Sequence, residues 1–273
     1  MKKLKDPIIV VGMHRSGTSV VARILSHLNV NMGHLRETNH EPRAYIALNN
    51  WILLQAGTTW QYPHEFDRLL RHSEARNSVI ESISLASERF VMKFMHWQLP
   101  SKKYCGWGWK DPRNSITLPI WIALYPSAKI IYVKRHGVPV ASSLMVRKKK
   151  WSPNDLRWWH RVLAPIKPGP GLGARLWDID SAFDLWEEYC RVTERNCLDS
   201  QARVLNIRYE DLMKEPHIIV DQLKQFVDSN ATSANVARAI QEVKRKDPFS
   251  FRQTQGLGEL EKRNSQRLKK LGY

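Results

Sequence analysis

The chain has 273 residues, 42% hydrophobic and 25% charged, with 43 Lys and Arg against 26 Asp and Glu. That composition excludes a disordered or fibrous chain and demands a packed core. The net charge of +17 favours an anionic ligand, a polyanion or an acidic surface, without choosing among them.

Cys105, Cys190 and Cys197 are too few and too scattered for a disulfide framework or a zinc site, so no metal is expected and a reducing compartment fits best. The opening MKKLKDP is basic, but the apolar run behind it, Ile8 to Val11, is too short for a signal core or a membrane span. The expectation is a soluble, cytoplasmic protein.

Taken in chain order, Ile8 to Val11 is a β-branched run that suits a strand buried on both faces of a parallel sheet. Val20, Val21, Ile24, Leu25 and Leu28 then recur at helical spacing. Residues 31 to 76 read as irregular, and Ser78 to Trp97 as a helix. A strand over Tyr104 to Trp109 runs into Lys110-Asp111-Pro112-Arg113. A helix near Ile116 to Leu124, a strand over Lys129 to Val133 and a helix from about Pro139 to Arg147 follow. Residues 148 to 177, with their lysines, tryptophans, prolines and glycines, read as an irregular insertion or lid. Asp180 to Leu198 is helical, Val204 to Ile207 a strand, and helices are expected near Ile218 to Val227, Ser233 to Lys244 and Leu257 to Leu271. The alternation predicts one α/β domain over residues 1–273, a central parallel sheet of about five strands flanked by helices in a three-layer, P-loop-like fold.

Between the first strand and the first helix stands Gly12-Met13-His14-Arg15-Ser16-Gly17-Thr18-Ser19. Its glycines have the spacing of G-x-x-x-x-G-K-[ST], but Thr18 occupies the lysine position. Backbone N–H groups of Ser16, Gly17, Thr18 and Ser19 can still converge on a phosphate at the helix N-terminus. The lysine that reaches β and γ phosphates is gone, and Arg15 offers a fixed, planar cation instead, suited to an oxygen that gains charge as a group leaves. A tight turn with a surface arginine is the alternative.

Two further segments carry chemistry. Arg135 ends a strand with Ser143 eight residues on, offering a second anion site, and Arg208-Tyr209-Glu210-Asp211-Leu212 follows a strand and can present the Tyr209 ring to a base. With these residues on the page, the sequence resembles the sulfotransferases that use 3′-phosphoadenosine 5′-phosphosulfate. The RSGT loop is similar to that of bacterial members and of the tyrosylprotein sulfotransferases. Arg135 and Ser143 match the family's 3′-phosphate motif, Lys110-Asp111-Pro112 its KDP segment, and Arg208 to Leu212 its RYEDL segment.

The resemblance implies in-line transfer of a sulfuryl group to a hydroxyl or amine, with adenosine 3′,5′-bisphosphate as product and no metal required. Arg15 would stabilise the leaving phosphate and Lys110 would contact the sulfuryl group or the bridging oxygen. Arg15, Ser16, Gly17, Thr18, Ser19, Arg135, Ser143 and Tyr209 would hold the donor.

A general base must lie within hydrogen-bond reach of the acceptor. By resemblance to the tyrosylprotein enzymes it is Glu37, with Glu41, His40, His14 and Asp111 as competitors. Where many bacterial relatives carry a glycine-aromatic-glutamate segment, this chain reads Arg43-Ala44-Tyr45-Ile46. Trp151, Trp158 and Trp159 beside Arg147 to Lys150 suit a sugar, hydrophobic or acidic acceptor, or equally pack the insertion onto the core. The acceptor is expected to be a carbohydrate, lipid or small molecule, and no nucleic acid is expected. The alternatives are a P-loop small-molecule or nucleoside kinase and a non-catalytic polyanion-binding module.

Overall fold

The computed structural model describes residues 6–34, 39–87, 103–149, 174–244 and 247–273. Among them lie strands β1 (Ile8–Val11), β2 (Val30–Asn31), β3 (Gly106–Lys110), β4 (Lys129–Lys134) and β5 (Arg203–Arg208). The helices are α1 (Thr18–His27), α2 (Arg43–Gln55), α3 (Asp67–Arg71), α4 (Ser73–Ala86), α5 (Asn114–Leu124), α6 (Gly137–Lys149), α7 (Ile179–Asp199), α8 (Tyr209–Lys214), α9 (Pro216–Phe226), α10 (Ser233–Gln241), α11 (Leu257–Arg263) and α12 (Ser265–Lys270). The chain divides into two compact units, residues 1–135 with 189–248 and residues 136–188 with 249–273.

The first unit holds the whole sheet, five parallel strands in the order β2-β3-β1-β4-β5. The expected α/β fold with its central parallel sheet is therefore present. β1 is central because all four of its residues are apolar and can be buried on both faces. Ile8 pairs with Gly108 on one side and Lys129 on the other. Gly108 suits that place, since a Cβ there would fall 2.0 Å from the Ile8 carbonyl oxygen.

Ile8 and Val10, with Ile131 and Val133 of β4, pack against Val21, Ile24, Leu25 and Leu28 of α1 and Ile219, Val220 and Leu223 of α9. Each such fully buried side chain contributes about 1.5–3 kcal/mol of transfer free energy. A second cluster is aromatic: Tyr45 of α2 stacks on Trp109 at 4.2 Å between centroids, and Trp121 of α5 meets Trp109 edge-on at 4.9 Å.

Pro119 lies inside α5 and has no N–H to give the Ser115 carbonyl one turn back. Asn196 Nδ2 supplies that hydrogen bond at 2.9 Å, which ties α7 to α5 where the helix would otherwise leave a buried acceptor empty.

Three sequence expectations are corrected. Residues 31–76 are not irregular: they contain β2, α2, α3 and the start of α4. The helix expected over Ser78 to Trp97 begins earlier, at Ser73, and is described through Ala86, while residues 88–102, where the rest of that expectation falls, lie outside the described set. The helix expected over Leu257 to Leu271 is two, because Asn264 interrupts it: its Nδ2 donates to the Leu260 carbonyl and its Oδ1 accepts from Arg267. Of the expected insertion at 148–177, residues 150–173 lie outside the described set.

In the second unit, His136 packs among Phe249, Phe251 and Tyr273, with Nε2 3.4 Å from Glu261. Gly137 is required there, since a Cβ would lie 2.5 Å from the Trp186 ring. Among the described residues no helix is long and apolar enough to cross a membrane.

Candidate active site

The C-terminal ends of parallel strands are where an α/β sheet presents its loops, and a crevice opens where the strand order reverses. Here β1 is flanked by β3 and β4, so the residues at these strand ends stand in a row: Lys110 closing β3, the 12–17 loop after β1, Arg135 after β4 and Tyr209 after β5. The sheet brings together in the first unit most of the side chains singled out in the sequence. Ser143 stands half-buried on α6 in the second unit.

The loop is pinned at several points. The Gly12 N–H donates to Ser115 Oγ at 2.9 Å, and Gly12 has φ 137 with the Val133 carbonyl oxygen 2.3 Å from where a Cβ would sit. The Ser16 N–H and Oγ both donate to the Met13 carbonyl, at 3.1 and 2.7 Å. Ser19 Oγ donates to the Asn39 carbonyl at 2.8 Å. These two hydroxyls thus shape the loop, while the N–H groups of Thr18 and Ser19, ahead of the first helical bond from Val20 to the Gly17 carbonyl, are available to an anion.

Arg15 is exposed and has φ 72, a left-handed conformation that costs a non-glycine residue of order 1 kcal/mol. Gly17, at φ 98, caps α1, and a Cβ there would fall 2.4 Å from Tyr209 Cδ2. The Gly17→Ala variant is therefore expected to lose about 2–4 kcal/mol through backbone strain and the clash together, and to weaken anion binding. Thermal unfolding and titration with adenosine 3′,5′-bisphosphate check both effects.

Lys110 is 1% exposed, and its Nζ donates to Glu41 Oε1 at 2.8 Å. Burial pushes the Lys110 ammonium below the ordinary lysine range, and the neighbouring Glu41 carboxylate opposes that shift. Arg113 Nη1 lies 2.9 Å from Asp111 Oδ1 and 4.0 Å from Glu41 Oε2. The Arg113 Nε is buried with no hydrogen-bond partner among the described residues. These four groups alternate in sign, which makes their common burial tolerable.

Asp111 is fully buried. Its Oδ1 accepts from the Arg113 N–H and Nη1, and its Oδ2 from Asn49 Nδ2 at 3.0 Å. Asn49 also donates to Asn114, and its Oδ1 accepts from Thr117 and Trp121. This network fixes the strand end that carries Lys110.

Among the base candidates, Glu37 lies outside the described residues, as do Trp151, Trp158 and Trp159. Asp111 has its oxygens committed to Arg113 and Asn49, and the His14 ring is buried edge-on against Trp60 at 4.7 Å. His40 has φ 61 and is half-buried. Among the described candidates, Glu41 is the one whose carboxylate forms the ion pair with Lys110. Sequence reasoning assigned no part to Asn49, Asn114, Ser115 or Arg113. Only Arg113, directly behind Lys110-Asp111-Pro112, stood in a segment already singled out.

Tyr209 is half-buried, with the Arg135 guanidinium carbon 4.2 Å from its ring centre. Among the described residues no cluster of His, Cys, Asp and Glu is arranged to hold a metal ion.

Comparison with known proteins adds three likenesses and one family match. A model described as "Sulfotransferase family" matches residues 7–232. Sulfotransferase STF9 from Mycobacterium avium superposes with a TM-score of 0.51 at 14% identity, over 98% of this chain and 77% of that one. Sulfotransferase STF1 from Mycobacterium tuberculosis gives 0.50 at 15% identity, over 96% and 76%. The sulfotransferase domain of the olefin synthase from Synechococcus PCC 7002 gives 0.52 at 14% identity, over 100% and 97%. At these identities the structural likenesses concern the fold. No curated protein gives a significant sequence match.

Proposed function

The chain belongs to the sulfotransferase family, and from that premise we propose that it uses 3′-phosphoadenosine 5′-phosphosulfate, the donor the family implies, to sulfate a hydroxyl or amine. The observation that carries this reading is the loop: glycine at both ends, the Thr18 and Ser19 N–H groups ahead of the first helical bond, Thr18 in place of lysine, and Arg15 exposed at its apex. Gly17 lets the Tyr209 ring close against the loop where any Cβ would clash, and the residues present fit a small anion held by backbone.

The donor supplies an activated sulfuryl group esterified to a 5′-phosphate, with a 3′-phosphate at the far end. Ser16 to Ser19 would hold the 5′ side and Arg135 the 3′-phosphate, while Tyr209 would border the adenosine. Arg15 stabilises negative charge on the bridging oxygen of the leaving phosphate, in line with attack from the opposite side. Lys110 places a second positive charge and a hydrogen-bond donor at the sulfuryl group. The 2.8 Å contact between Glu41 and Lys110 supports Glu41 as the base that takes the acceptor's proton. The acceptor is proposed to be a carbohydrate, lipid or small molecule.

Calorimetric titration tests the donor assignment. Adenosine 3′,5′-bisphosphate is expected to bind at least about tenfold more tightly than 5′-AMP, a difference of about 1.4 kcal/mol, without a need for magnesium. Preferential binding of ATP with magnesium would overturn the reading.

A further inference from the structure

The Arg15–Ser16 peptide group is held from both sides. Its N–H, on Ser16, donates to the Met13 carbonyl at 3.1 Å, and its carbonyl, on Arg15, accepts from Arg135 Nη1 at 3.1 Å. Arg135 comes from a different strand end, 120 residues away in sequence. Its guanidinium lies 4.2 Å over the Tyr209 ring, and the same ring borders Gly17 so closely that no Cβ fits between them. Tyr209, Arg135 and the 15–17 turn thus form one contiguous packing unit across β5, β4 and β1.

We propose that Arg135 is a positioning residue for Arg15. It locks the left-handed turn at the loop apex through the Arg15 carbonyl, and Tyr209 holds the guanidinium in the plane that makes this possible. A guanidinium has five N–H donors in a rigid fork, so serving a carbonyl leaves it able to serve an anion at the same time. The two ends of the donor site are therefore coupled through one side chain. An anion that fixes Arg135 also fixes the peptide that aims Arg15, and by reciprocity an anion in the loop favours the bound orientation of Arg135. The identity of those anions rests on the donor reading above. The lock itself is a property of the ligand-free chain.

The coupling predicts that a donor lacking the 3′-phosphate is handicapped in turnover as well as in affinity, because Arg15 is then less well held.

The test uses Arg135→Lys, which keeps the charge and loses the fork, and Tyr209→Leu, which keeps Arg135 and removes its platform. In ligand-free protein, hydrogen–deuterium exchange of the peptide spanning residues 12–19 is expected to speed up about tenfold in both variants, with melting temperatures near that of the wild type. The affinity for 5′-AMP, which has no 3′-phosphate, is expected to fall about tenfold in Arg135→Lys, within the usual range of site coupling.

If Arg135 only binds the 3′-phosphate, loop exchange stays at the wild-type rate in both variants, AMP affinity stays at the wild-type value in Arg135→Lys, and just the preference for adenosine 3′,5′-bisphosphate disappears there. That result would overturn the lock. A wild-type protein with no such preference would instead remove the donor reading, while the exchange experiment would still decide on the lock.

Discussion

Arg15→Ala is expected to lower turnover by about 10²–10³-fold with little change in stability, the usual cost of removing one preorganised donor aimed at developing charge. Arg15 is exposed, so alanine forfeits little packing. Both residues carry a Cβ in the same left-handed conformation, so the backbone strain at φ 72 is unchanged. The loss should therefore fall on the chemical step. Arg15→Lys should recover part of it, because the charge returns without the planar fork. Added guanidinium ion should partly restore Arg15→Ala and leave Arg15→Lys unaffected. Steady-state rates with the donor saturating, beside melting curves, check this. Wild-type turnover in Arg15→Ala with intact donor binding would remove Arg15 from the mechanism.

Glu41→Gln is expected to cost about 10²–10⁴-fold in turnover if Glu41 is the base, and about 3 kcal/mol in stability, because the buried Lys110 ammonium keeps a hydrogen-bond acceptor but loses its countercharge. The pH dependence separates these effects. Burial already holds the Lys110 pKa below its ordinary value, and the Glu41 charge pulls it back up. Removing that charge lowers the Lys110 pKa further.

Turnover that needs a protonated Lys110 should then lose its alkaline limb at a lower pH than in the wild type. Stability moves the opposite way. With the folded pKa below the unfolded one, the unfolded chain binds more protons between the two values, so stability rises with pH across that window. The penalty is full below the folded pKa and vanishes above the unfolded one. Glu41→Gln should widen the window downward, and melting curves across neutral to alkaline pH read this directly. An unmoved alkaline limb would detach Lys110 from the profile.

The elements of the sheet core were legible because their apolar runs are continuous and local: Ile8 to Val11 and Lys129 to Val133 read as buried parallel strands, and the loop between β1 and α1 read as an anion cradle. α2 did not read as a helix. Its inward residue at the centre is Asn49, fully buried in the network around Asp111, while Trp51 and Leu54 are exposed. Apolar periodicity looks for the reverse arrangement. β2, at two residues, is too short to register any period. The contact between Glu41 and Lys110 joins segments 69 residues apart, so which acidic residue meets the lysine follows from the fold and not from local spacing. The end of α11 at Asn264 was hidden for a third reason, since the leucines on either side keep helical spacing across it.

The placement of β1 bears on how the chain is made. Of the five strands of the sheet it is the first in sequence and the middle one in space, and both neighbours come from far downstream: β3 pairs through Gly108 and β4 through Lys129. At about 5–20 residues per second, roughly 5–20 s pass between synthesis of Ile8 and synthesis of its first partner, in β3. Through that interval a wholly apolar tetrapeptide has no strand to pair with, and the amphipathic α1 behind it is what can cover it. Slowing synthesis between residues 12 and 129, or weakening α1, should therefore raise chaperone dependence and aggregation of nascent chains, without any change in the stability of the completed protein.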